Sequence, residues 1–105
     1  MDIELLKSLV AKRKIKWTTH VAARIQERDI SRNDVLNCII TGEIIEEYPE
    51  DYPNPSCLIF GSTLNDKILH VVAGFDDNFI YIITAYYPNL EKFESDLKTR
   101  RRKES

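Results

Sequence analysis

Apolar positions in the first part of the chain recur at helical spacing, and those in the second part alternate as strands do. Ile3, Leu6, Leu9 and Val10 form a stripe that predicts a helix from Asp2 to about Arg13. Thr18 or Thr19 is placed to cap a second helix running to about Arg28, with Val21 and Ile25 one turn apart on its inner side. Ser31 with Asp34 resembles a capping box and opens a third helix, whose inner face would be Val35, Leu36, Ile39 and Ile40. Gly42 is well placed to end it in a left-handed conformation.

Beyond Gly42 the pattern predicts strands over Glu43 to Tyr48, Cys57 to Thr63, Lys67 to Phe75, and Phe79 to Tyr87. Pro49, Pro53 and Pro55 mark a loop, because proline cannot sit inside a sheet. Asn65-Asp66 and Asp76-Asp77-Asn78 supply the turns. Pro88 stops the last strand, and Asn89 can cap a final helix built on Leu90, Phe93 and Leu97. Strand follows strand without a crossover helix. The expected class is therefore α+β: N-terminal helices, a four-stranded antiparallel sheet and a C-terminal helix.

A chain of 105 residues, 43% hydrophobic and 30% charged, fits one domain spanning 1–105 with a core of its own. Three glycines argue against a glycine-rich phosphate loop. No apolar run reaches the roughly 18 residues of a membrane helix. No basic-then-apolar signal peptide opens the chain, and Cys38 and Cys57 lack disulfide-scaffold or zinc spacing. The expectation is a cytoplasmic protein with no membrane association, no cofactor and no metal.

The net charge of −2 hides an uneven distribution. Lys7 to Arg32 and the tail from Lys98 are basic, whereas Glu43 to Asp51 is acidic. Residues 102–105 read as a disordered basic tail.

Two groups of residues could carry chemistry. His20, Arg24 and Arg28 stand at i, i+4 and i+8, on one face of the second helix. They suit an anion, or simply a solvated face. His70 interrupts the apolar run Ile68-Leu69-His70-Val71-Val72-Ala73, and needs a hydrogen-bond partner there. A three-residue loop at Asp76-Asp77-Asn78 is the expected one, because Asn78 can take the left-handed position that closes it. It would pair His70 with Thr84 and put Tyr86 on the same face, whereas a two-residue loop would put His70 and Thr84 on opposite faces. A two-residue turn at Asn65-Asp66 would set Gly61 opposite His70, leaving a hollow beside the imidazole. Such a cluster suits acid/base chemistry. Equally, it describes a core histidine tied to Thr84 or Tyr86.

The pieces His20-x3-Arg24-x3-Arg28-Asp29-Ile30-Ser31, Gly42 to Pro49, Pro55-Ser56-Cys57-Leu58, Leu69-His70-Val71-Val72 and Thr84-Ala85-Tyr86-Tyr87-Pro88 resemble, in order and spacing, the family of domain of unknown function 4258. The likeness runs from about Trp17 to Arg101. At the last helix that family often has Trp where this chain has Phe93. The resemblance implies a compact RelE-like fold and a toxin that cleaves RNA without metal. Such toxins are often encoded beside a small antitoxin with a zinc-binding and a helix-turn-helix part. They set basic and aromatic side chains around the scissile phosphate, so that the ribose 2′-OH attacks it.

Carried over, the resemblance makes His70 the general acid or base and His20 a second one or a phosphate donor. Arg24 and Arg28 hold the phosphate, Tyr86 and Thr84 orient His70 or the phosphate, and Arg100 closes the site. RNA, including mRNA, and a cognate antitoxin are the expected partners. This arrangement requires the His20 helix to dock on the His70 face of the sheet. Two other classes compete. One is a non-catalytic protein- or RNA-binding module in which His70 is structural. The other is a small-molecule domain using the hollow beside Gly61.

Overall fold

The computed structural model describes residues 1–101, so the tail expected at 102–105 lies outside the described residues. Three helices precede the main sheet strands: α1 (Ile3–Ala11), α2 (Thr19–Glu27) and α3 (Arg32–Thr41). Their starts follow the side-chain chemistry read from the sequence. Thr18 Oγ1 accepts from Val21 N, and Ser31 and Asp34 form the reciprocal capping box.

The strands are β1 (Ile15–Trp17), β2 (Glu43–Tyr48), β3 (Ser56–Ser62), β4 (Ile68–Phe75) and β5 (Ile80–Tyr86), ordered β1-β5-β4-β3-β2 in one sheet. The last four make the antiparallel meander expected from the pattern. The sheet has a fifth strand because β1 adds to its edge, parallel to β5, with Ile15 opposite Ile80 and Trp17 opposite Ile82. Three residues are too few to show a period, and a parallel partner so distant in sequence leaves no local signal.

All three helices lie on one face of the sheet. Leu6, Leu9, Val21, Ile25, Val35, Cys38 and Ile39 pack there against Cys57, Ile59, Leu69, Val71, Ala73, Ile80, Ile82 and Ala85. On α3 the inner face is rotated from the expected one. Cys38 is buried, its thiol 3.3 Å from the Leu69 carbonyl, whereas Ile40 is 52% exposed.

Gly42 ends α3 with φ −96° and ψ 177°, extended and not left-handed. β2 starts at the next residue, so the chain has to run straight on. Glycine is needed for closeness instead. A Cβ at Gly42 would lie 2.4 Å from the Cys38 carbonyl oxygen, and one at Gly61 would lie 2.1 Å from the same atom. The two glycines let α3 and β3 touch backbone to backbone.

Pro88 ends β5 as expected, but among the described residues no C-terminal helix follows. Asn89 Oδ1 accepts from Glu91 N and Lys92 N and starts a turn. Asp96 then captures the amides of Lys98 and Thr99, and Leu97 adopts φ 59°. Side-chain oxygens that bind nearby amides compete with helix in this way. The segment doubles back, bridging Phe93 to Arg100, and lies across the sheet face opposite the helices. Phe93 is buried, whereas Leu90 points out to solvent.

Candidate functional site

His70 sits between Leu69 and Val71, whose side chains face the helices. Strand alternation therefore turns the imidazole to the opposite face, away from α2. That corrects the expectation that the His20 helix docks on the His70 face. His20 and Arg24 are exposed on α2 and stand apart from the imidazole.

The register also differs from the expected one. The β3–β4 loop holds three residues, Leu64 to Asp66, closed by Asp66 at φ 61°. Phe60, not Gly61, lies opposite His70, so an aromatic ring stands where open space was expected. Between β4 and β5, Asp76 pairs with Phe79 across the two-residue turn Asp77-Asn78. Alone, that turn would shift the faces by one residue. An irregularity between Val72 and Ala73 takes up Ile83 as an extra residue and shifts them back. His70 thus lies opposite Tyr86, and Thr84 opposite Val72.

The imidazole is fully buried. Phe60, Tyr86 and Phe93 surround it edge-on, at ring-centroid distances of 6.0, 5.3 and 4.7 Å. Nε2 lies 2.7 Å from the Leu97 carbonyl oxygen, and Nδ1 lies 3.3 Å from the Tyr86 hydroxyl. Burial holds the His70 pKa below its ordinary value, offset in part by the Leu97 carbonyl and Glu46. A carbonyl can only accept, so the neutral ring carries its proton on Nε2 and leaves Nδ1 to accept from Tyr86. Burial likewise raises the Tyr86 pKa.

The segment covering His70 is clamped to β2. Arg100 binds Glu46 through Nε and Nη2 at 3.1 and 3.0 Å, and its guanidinium lies 4.9 Å from the Phe93 ring centroid. Lys98 pairs with Glu43 at 3.0 Å. The acidic stretch of the sequence is thus the anchor of the C-terminal segment.

Where this segment meets the end of β5 there is a cavity of about 590 Å³, lined by Arg28, Tyr86, Tyr87, Asn89, Lys92, Phe93 and Arg100. Arg28 reaches it from the C-cap of α2. Its Nη1 donates to the Ala85 carbonyl at 2.8 Å and to Thr84 Oγ1 at 3.3 Å, which fixes the guanidinium against β5. Among the described residues, neither Arg28 nor Lys92 is in an ion pair. Three cationic side chains and two phenols around one opening suit a phosphate group flanked by an aromatic base.

The expected site residues are therefore divided. Arg28, Tyr86 and Arg100 share the cavity. Thr84 anchors Arg28, and His70 stands behind Tyr86. His20 and Arg24 are not among the residues lining it. Sequence reasoning passed over Tyr87, Asn89 and Lys92. Tyr87 and Asn89 flank Pro88, so a tight exit from β5 was the available signal; Lys92 gave none. Among the described residues no cluster of His, Cys, Asp and Glu is suited to a metal ion, and no helix is long and apolar enough to cross a membrane.

The family model described as "Domain of unknown function (DUF4258)" matches residues 17–87. Neither the curated proteins nor the solved structures give a match. The matched span contains Arg28, Tyr86 and Tyr87 of the cavity, while Asn89, Lys92, Phe93 and Arg100 come from the segment after it.

Proposed function

The chain belongs to the DUF4258 family, and we propose that it binds RNA at the basic, aromatic cavity and cleaves it there by attack of the ribose 2′-OH, without metal, as a RelE-like toxin. The observation that supports this most is the meeting of Arg28, Lys92 and Arg100 with Tyr86 and Tyr87 around one opening. The guanidinium groups bind a phosphodiester and stabilise the charge it gains in the transition state. Arg28 is held in place beforehand, which lowers the reorganisation needed at reaction. On this reading Tyr86, not His70, meets the RNA. The toxin role calls for an antitoxin that covers the opening, and for action in the cytoplasm, where mRNA is found.

One experiment tests the proposal. Purified protein is mixed with single-stranded RNA in the presence of a chelator, and both binding and products are followed. The expected result is cleavage to 2′,3′-cyclic phosphate ends, lost in Lys92→Glu, a substitution at an exposed position. Induced expression should arrest growth, and Lys92→Glu should relieve the arrest. Wild-type protein that neither binds nor cuts RNA would refute the proposal.

A second reading has an observation of its own. His70 is fully buried with both nitrogens bonded, as a purely structural histidine would be. That favours a module that binds RNA without cutting it. RNA bound at the cavity with no cyclic phosphate formed would select this reading.

A further inference from the structure

We infer that Leu97, His70 and Tyr86 form a buried proton relay, carbonyl to imidazole to phenol, which lets Tyr86 act as the base at the cavity although His70 never touches the ligand. The inference rests on the RNA-cleaving reading and names the group that takes the 2′-OH proton. The geometry carries it. The Leu97 carbonyl, 2.7 Å from Nε2, fixes which nitrogen holds the proton. Nδ1 is then a free lone pair facing the Tyr86 hydroxyl at 3.3 Å. Tyr86 belongs to both the relay and the cavity wall, so its hydroxyl connects them. An orienting acceptor, an imidazole and a hydroxyl in line is the arrangement that activates a hydroxyl elsewhere in enzymes.

In the reaction, the 2′-OH proton passes to the Tyr86 oxygen as the Tyr86 proton passes to His70 Nδ1. The O2′–P bond forms and the P–O5′ bond breaks. The 5′ oxygen leaves with a proton from the Lys92 ammonium. Water then returns a proton to Lys92 and takes one from the Tyr86 hydroxyl at the cavity, as the imidazolium passes its Nδ1 proton back to the Tyr86 oxygen. The transient imidazolium donates to Leu97, and Glu46, whose carboxylate raises the His70 pKa, favours it. The charged and titratable groups acting on His70 are Tyr86 from β5, Glu46 from β2 and Arg100 from the C-terminal segment; Arg100 opposes the imidazolium but is itself paired with Glu46.

A histidine kept only for packing would not shape a pH profile. His70 must be neutral to accept a proton, so activity should fall as pH drops through its pKa, which burial places below 6.5. His70→Gln keeps a donor for Leu97 and an acceptor for Tyr86 but has no basicity. The experiment measures RNA affinity and cleavage rate against pH for wild type, His70→Gln and Tyr86→Phe. It also records the His70 nitrogen-15 spectrum of the wild type.

The expected result has three parts. The RNA affinity of His70→Gln stays at the wild-type value. Both variants lose roughly a hundredfold or more in rate, the span of general acid–base catalysis, and His70→Gln loses the acidic limb. The spectrum shows the Nε2–H tautomer. An Nδ1–H tautomer, or a His70→Gln rate and profile equal to wild type, overturns the relay while leaving RNA cleavage in place. Wild-type protein that binds RNA without cutting it overturns both the relay and the cleaving reading. His70→Ala, which would also open a cavity, serves to show how far loss of packing alone lowers stability.

Discussion

Phe93→Ala tests whether the C-terminal segment is a structural cover or a loose end. The ring is 1% exposed, stands edge-on to His70 at 4.7 Å, and carries the Arg100 guanidinium on its face. Truncating a buried phenylalanine costs about 3–5 kcal/mol, through lost burial and the cavity left behind. The edge-on aromatic contact accounts for roughly 0.5–1.5 kcal/mol of such a loss. A domain of this size has about 5–15 kcal/mol in all, so the variant should fold but melt early. At about 4–8 °C per kcal/mol, the fall in Tm should be at least 12 °C or so. Urea unfolding should give a lower midpoint with the slope unchanged. With the cover thinned, the His70 pKa should rise toward its ordinary value, because burial is what lowers it. Histidine titration by NMR would show this. A stability loss under about 1 kcal/mol with the titration unmoved would refute the claim that Phe93 seals the imidazole.

Two further predictions concern the fold. Gly61→Ala would place a methyl 2.1 Å from the Cys38 carbonyl oxygen, a backbone atom that no side-chain rotation can clear. α3 must move off β3, and equilibrium unfolding should show a loss of at least about 1–3 kcal/mol; an unchanged midpoint would contradict the contact. Stability should also fall with acid in two stages. His70 is held neutral by burial, so its contribution is present above pH 6.5 and is lost as pH falls from there toward its lowered pKa. Glu46 is held charged by Arg100, so its contribution is present above pH 4.5 and is lost below it. Melts across that range should show both limbs, with the first absent in His70→Gln.

Helix starts and strand runs were legible because they depend on local chemistry. Ser31 and Asp34 cap α3 as their spacing implies, and Pro88 ends β5 where it stands. What was not legible depended on contacts between distant segments. β1 exists only because β5 offers an edge. The helical spacing of Leu90, Phe93 and Leu97 was overridden when Asp96 bound local amides and the Leu97 carbonyl found His70. For the site, the sequence marked Arg28, Tyr86 and Arg100 but not the side of the sheet on which each would lie. A turn one residue shorter than expected and a compensating bulge decided the partner of His70. That pair of shifts set the imidazole behind Tyr86, while Leu69 and Val71, by facing the helices, turned it away from His20 and Arg24.

The proposed function stands or falls on RNA binding at the cavity between β5 and the C-terminal segment. Amide and side-chain NMR shifts, followed while a short single-stranded RNA is titrated into the labelled protein, test it most directly. The movements should cluster at Arg28, Tyr86, Tyr87, Lys92 and Arg100. Shifts confined to the exposed His20 and Arg24 row of α2, or no shifts at all, would contradict it.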